Sequence, residues 1–352
     1  MIVDAHRHVI VPEIMAAAVP ERWRPAITQD SGQQVLRFRG REIRSVVGEF
    51  ADAAVMLGQA AAAGVDHLLL SPWINLIPVD ATPADARLVC DVQNQALAAL
   101  AAAHPGRVSA VGAVPLGEPE VAARDLAALM TVPGMRGVEI PSSVNGRYLG
   151  EDFFLPFWEA AEQARALVFI HPTTRGLGVP ALDGYYLWNS VGNPLETAIA
   201  GAHLVVAGVL ERHPGLRVLL AHGGGALPSV RGRLRRAFAV RPEAGARLTA
   251  GPDESLRRFF YDTVTHDPGL LADLIRYAGP GQVLLGSDGP FDMGTDDPVG
   301  EVRALALGEA EAQVLGGNAG RLLGLTSPPA PAPPAPASPA RTSPRPGRDR
   351  GR

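Results

Sequence analysis

The chain has 352 residues, 47% of them hydrophobic, and a formal net charge of −4, enough apolar material for one barrel of about 250 residues or more, or for two smaller domains. So slight an acidic balance leaves no footprint for nucleic acid, and no run of about 18 apolar residues offers a membrane span. The N-terminus carries Asp4 and two histidines where a signal peptide would carry its apolar run, so a soluble cytoplasmic protein is expected.

The first strand signal, residues 2–4, leads straight into Asp4-Ala5-His6-Arg7-His8. Alternate residues of a strand share a face, so His6 and His8 can meet one ion while Arg7 points away. Residues 9–50 then break the rhythm, with weak strand signals near 35–39, and read as an insertion that is either a lid over a site or a cap.

From there, β-branched runs alternate with helical stretches. The eight candidate strands are 2–4, 67–71, 108–114, 135–140, 167–171, 217–222, 259–263 and 283–288, with helices such as 52–63, 85–103 and 120–130 between them. Gly64 and Gly106 stand where helix stops belong. Eight strands with crossovers predict an α/β fold, a (β/α)8 TIM-type barrel over 1–326, against an open doubly wound sheet as the alternative. Residues 327–352, rich in proline, alanine and arginine, are expected to be a disordered tail.

Three apolar runs end in a potential ligand: 167–170 in His171, 218–221 in His222 and 283–287 in Asp288. The C-terminal ends of barrel strands share one face, so these residues are expected to converge with His6 and His8. Neutral imidazoles and one carboxylate suit a single divalent ion with a position left for water, whose pKa would fall to about 7. The fifth residue then has a job as base. All 32 basic residues are arginine, which excludes a lysine Schiff base, a P-loop lysine and a carboxylated lysine bridging two metals. The one cysteine, Cys90, excludes an internal disulfide and a Cys-rich zinc site, and reads as a buried helix residue.

These residues resemble the amidohydrolase superfamily, in the branch of aminocarboxymuconate-semialdehyde decarboxylase and related non-oxidative decarboxylases. The motifs are Asp4-Ala5-His6-Arg7-His8, Phe169-Ile170-His171-Pro172, Asn193-Pro194-Leu195-Glu196-Thr197, Ala221-His222-Gly223-Gly224-Gly225, Leu285-Gly286-Ser287-Asp288-Gly289-Pro290-Phe291 and Gly317-Asn318-Ala319. The resemblance implies that His6, His8, His171 and Asp288 hold one metal, with zinc expected, and that His222 is the catalytic base. It implies that Arg44 and Arg233 grip a substrate carboxylate, Arg233 reaching the neighbouring subunit's site in a homodimer. Trp188 and Tyr186 fall near the family's pocket aromatics, and Gly289 stands where an aromatic is frequent, which would widen the pocket or loosen a substrate contact.

Glu139 ends the fourth strand signal and reads as structural or pocket-lining, His266 as pocket-lining or capping, and Gly223-Gly224-Gly225 as a tight turn. Arg231, Arg233, Arg235 and Arg236 lie on one helical stretch and, apart from the family role of Arg233, read as a solvated face. The function expected is non-oxidative decarboxylation of a small unsaturated or aromatic carboxylic acid, with Asp288 catalytic as well as a ligand. The alternatives are hydrolysis of an amide, lactone or carbon–carbon bond at the same site, where Asp288 takes the proton of the attacking water, and a catalytically silent scaffold.

Overall fold

Val3 pairs with His67 and Asp4 with Leu68, yet Arg7 pairs with Leu70, so the first strand, Val3–Val9, carries one residue more than its neighbour here. A bulge of this kind switches the inward-facing parity of a strand. Val3 and Ala5 pack in the interior apolar cluster, and beyond the bulge His6 faces inward, its ring 4.8 Å from that of Phe169 in the same cluster. The sequence signal stops at residue 4 because His6, Arg7 and His8 are polar, although the strand continues through them to Val9.

The computed structural model describes residues 1–44, 47–173 and 176–325, so the expectation for 327–352 lies outside the described residues. Eight strands pair in chain order and in parallel: Val3–Val9, His67–Pro72, Val108–Gly112, Met135–Pro141, Leu167–His171, Arg217–Leu220, Phe260–Asp262 and Val283–Leu284. The barrel closes between last and first strands through Ala5 N to Leu285 O at 2.8 Å, Asp288 N to His6 O at 2.9 Å and His8 N to Gly289 O at 2.8 Å. Asp4 seals the same seam, accepting from Ser287 Oγ at 2.5 Å and Ser287 N at 3.0 Å. The (β/α)8 expectation holds.

Inside the barrel, Leu69, Val111, Leu167, Phe169, Leu219 and Leu284 form one layered cluster with Leu322 and Leu323 of the last helix, Asn318–Leu323. Each such buried side chain contributes about 1.5–3 kcal/mol. Outside, the expected helices are Ala53–Ala62, Pro83–Ala103 and Pro119–Leu129, the first capped by Asp52, whose side chain accepts from Ala54 N and Val55 N. Gly64 and Gly106 have φ of +75° and +78°, and Cys90 is buried. No helix among the described residues is long and apolar enough to cross a membrane.

The insertion is more ordered than its sequence suggests. Ala26–Asp30, Gln33–Phe38 and Arg41–Ile43 form an antiparallel three-stranded sheet. Its two turns, Ser31-Gly32 and Arg39-Gly40, have positive φ at both positions, the two-residue geometry that matches strand twist. The outer strands are largely exposed, so they lack the apolar alternation that marks a strand in sequence.

Candidate metal centre and active site

One ligand atom from each of His6, His8, His171 and Asp288 lies within 4.8 Å of the others, and all four residues are buried. His6 Nδ1 lies 2.6 Å from Asp262 Oδ2, His8 Nδ1 lies 3.3 Å from Pro72 O, and His171 Nδ1 lies 3.0 Å from Pro172 O. Ionised Asp262 and the two carbonyls can only accept, and Ser71 Oγ, 3.0 Å from His8 Nδ1, can accept there while it donates to Arg7 O at 3.4 Å, so each Nδ1 can carry the hydrogen and leave Nε2 its lone pair. Those lone pairs turn toward one point. His6 Nε2 and His8 Nε2 stand 3.0 Å apart, while His171 Nε2 and Asp288 Oδ1 are buried without any hydrogen bond. Four acceptors facing one another need a cation between them, so the residues present fit a divalent metal.

The titration behaviour follows from this crowding. Burial opposes a charge on His6, but the Asp288 and Asp262 carboxylates outweigh it and raise its pKa to about 10. Burial and, for His8, the charge on His6 lower His8, and burial with the neighbouring imidazoles puts His171 well below the usual histidine value. Burial alone would raise Asp288, yet His6, His222 and His8 hold it well below the ordinary aspartate range. Phe169 forms the floor, with ring centroids 4.8, 6.5 and 5.9 Å from those of His6, His8 and His171.

His222 stands on the opposite side of Asp288, with Nε2 3.3 Å from Asp288 Oδ2. It opens a run of four positive-φ residues, His222, Gly223, Gly224 and Gly225. A Cβ on Gly225 would lie 2.1 Å from Pro194 O, so the tight turn expected from three glycines is a steric requirement. Asp262 anchors the turn, accepting from His222 N at 2.9 Å and Gly223 N at 2.8 Å. Asp262 too ends an apolar run of the barrel, but nothing local in the sequence sets it apart from an ordinary strand residue.

The amidohydrolase family matches residues 3–325, nearly the whole chain. The chain belongs to the amidohydrolase family. Among its relatives is the 2-amino-3-carboxymuconate-6-semialdehyde decarboxylase of Dictyostelium discoideum, 29% identical over 330 residues, covering 92% of this chain and 91% of that one. Among solved structures, 5-carboxyvanillate decarboxylase from Sphingomonas paucimobilis superposes with a TM-score of 0.79 at 24% identity, covering 92% of this chain and 99% of that one. A dihydroxybenzoic acid decarboxylase from Polaromonas sp., with bound manganese and 2-nitroresorcinol, superposes with a TM-score of 0.76 at 20% identity, covering 92% and 97%.

Two cavities open onto His222 and Asp288 of this amidohydrolase. The larger, about 600 Å³, is walled by Trp73, Tyr186, Trp188 and Phe291 and edged by Arg41 and Arg44 from the insertion. The insertion thus forms a wall of the site. Trp188 opens a π-helical turn, Trp188–Gly192, a form that recurs at functional sites. The smaller cavity, about 340 Å³, is lined by Thr265, His266, Arg231 and Asp273, so His266 lines a pocket as one of its two readings had it.

Arg44 reaches the larger cavity, with its guanidinium 2.8 Å from both Asp30 and Glu42. Arg233 is exposed on the helix Leu227–Val240 and lines neither cavity of its own chain. Its neighbour Arg231 is held instead by Asp273 at 3.0 Å. Glu139 is buried among the inward-facing residues, 3.9 Å from His8 Nδ1, and burial raises its pKa well above the usual glutamate value. The reading of Gly289 as a widening of the pocket is corrected: a Cβ there would meet Arg7 Nη1 at 2.6 Å, on the outer side of the strand. Arg7 itself is buried and donates to Gln59 at 2.7 Å.

Proposed function

We propose that this amidohydrolase is a metal-dependent, non-oxidative decarboxylase of a small unsaturated or aromatic carboxylic acid. The observation that carries the reading is the buried ligand set of three imidazoles and one carboxylate, with His222 3.3 Å from that carboxylate. The likeness to a carboxymuconate-semialdehyde decarboxylase over 92% of the chain supports the choice of reaction. His6, His8, His171 and Asp288 would hold the ion, and zinc is the proposed occupant because three nitrogens and one oxygen are donors it favours. Manganese, held by a decarboxylase of the same fold, is the rival that elemental analysis would decide. When bound, the ion supplies Lewis acidity and lowers the pKa of a water.

The remaining work falls to side chains. His222, which lines both cavities, holds or moves a proton at Nε2 between the substrate and Asp288 Oδ2. Arg44 pairs with the substrate carboxylate or an adjacent acid group through its planar fork. Trp188 and Tyr186 offer ring faces to a planar acid, with Phe291 on the same cavity. In the reaction the bond from ring or chain carbon to the carboxyl carbon breaks, its electron pair stays on the former, CO2 leaves, and a proton takes its place. Arg233 would serve the site of a second copy in a homodimer.

The test incubates a panel of aromatic and unsaturated acids with the metal-reconstituted enzyme and weighs the product. Loss of CO2 is the expected result; a gain of water would make the enzyme a hydrolase, and CO2 release that survives metal removal would overturn the metal role. Mixing Arg233→Ala with His222→Ala chains should restore some activity through hybrid sites. No recovery would count against the shared arginine.

A further inference from the structure

Glu196 is buried at 4% exposure, in the helix Asn193–Val206, and collects four donors. Its Oε2 accepts from Ser142 Oγ at 2.8 Å, Thr173 N at 2.7 Å and Thr173 Oγ1 at 2.5 Å, and its Oε1 accepts from Gly176 N at 2.8 Å. Three of these donors, on Thr173 and Gly176, follow His171 closely in the chain, and the residue of the fourth, Ser142, donates its own backbone N–H to His171 O at 3.0 Å. The carboxylate therefore ties Thr173 and Gly176 to Ser142, just past the fourth strand. It also ties them to the helix that follows the Trp188 turn.

Among the described residues, Glu196 lines neither of the two cavities described above. The fit leaves no slack: a Cβ on Gly176 would lie 1.8 Å from Thr173 Oγ1 and 2.7 Å from Glu196 Oε2. Between the clamp and the metal centre stands one peptide. Pro172 O, the acceptor that fixes the His171 ring at 3.0 Å, belongs to the unit whose nitrogen is Thr173 N, and that nitrogen donates to Glu196. Rotation of this peptide would remove both bonds together, freeing the ring to turn its Nε2 away from Asp288.

We propose that Glu196 is the positioning residue for His171, locking the Pro172–Thr173 peptide whose carbonyl holds the ring in its metal-facing orientation. The proposal rests on the reading of His171 as a ligand. An amide at this position accepts with one atom only, so in Glu196→Gln either the Gly176 contact or the three contacts at Oε2 must face an NH2 group, donor against donor, and the clamp is weakened at nearly unchanged volume.

The experiment uses the full chain reconstituted with Zn²⁺ and measures ion retention against a chelator at 25 °C, melting temperature, kcat and KM. Loss of an outer contact that orients a ligand lowers metal affinity or activity by about 10- to 100-fold. Glu196→Gln should hold zinc more weakly by that factor, with kcat lowered and KM little changed. Thr173→Val, which removes one hydroxyl donor, should shift retention the same way by less, and Thr173→Ser should restore it. Leu126→Ala, on a buried position of the helix Pro119–Leu129, serves as a destabilised control and should hold zinc as the wild type does.

If Glu196→Gln does not fold, the Thr173→Val and Thr173→Ser pair decides. Unchanged retention in the folded variants, or equal loosening by Leu126→Ala, would overturn the positioning role. A wild-type chain that takes up no ion would sink the ligand reading itself, and this proposal with it.

Discussion

His6 Nδ1 and Asp262 Oδ2 lie 2.6 Å apart across 256 residues of sequence, both fully buried. The same carboxylate accepts from His222 N, Gly223 N and Val264 N. One acid thus sets the tautomer of a ligand and the backbone that carries the base.

Asp262→Asn should therefore damage both at once. Metal affinity should fall by about 10- to 100-fold, and activity should fall even at saturating metal, with the circular dichroism spectrum unchanged. Chelator competition followed by assay at high metal checks this. Full activity on metal saturation would leave Asp262 a role toward His6 alone.

Metal uptake should release a proton. His6, raised to about 10 by the two carboxylates, carries a proton at neutral pH in the metal-free protein, and an ion must displace it. Titration calorimetry in buffers of different ionisation enthalpy should report about one proton released per ion near pH 7. Apparent affinity should climb with pH up to about 10. A buffer-independent heat would refute this.

The metal-free protein should show the opposite trend in stability. A group raised above its unfolded value stabilises the fold fully below that value and loses this as pH rises through the folded one. The His6 contribution is thus complete below about pH 6.5 and gone above about 10. Denaturation of chelator-treated protein between these limits should show a decline that zinc abolishes.

His222→Asn should keep the ion and lose the chemistry. Loss of a general acid–base costs about 10²- to 10⁴-fold in rate, so kcat should fall by that range while elemental analysis still finds one equivalent of metal. Retained turnover would move the proton-handling role elsewhere.

Arg44→Ala should affect binding far more than folding. Its ion pairs with Asp30 and Glu42 are exposed and contribute little to stability, whereas a charged hydrogen bond to substrate is worth about 1.5–3 kcal/mol. KM should rise by about 10- to 100-fold, with the melting temperature nearly unchanged. An unaltered KM would return Arg44 to the surface.

The barrel was legible because its strands are short apolar runs punctuated by polar chemistry. His171 closes its strand as read, but His222 and Asp288 do not: the strands stop at Leu220 and Leu284, and both residues turn into positive φ beyond them. An apolar run continues through such a bend, so the sequence marks the ligand without marking the bend. The insertion's sheet was hidden by its polar exposed faces. Asp262 and Glu196 were hidden for a different reason. Each is defined by partners distant in sequence, and no local pattern announces a pairing made only when the barrel closes.

The seam sealed by Asp4 and Ser287 joins the two extremes of the barrel. His6 and His8 lie on the first strand and Asp288 just past the last, so the four candidate ligands come together only when those strands meet: closing the barrel and completing the ligand set are one event.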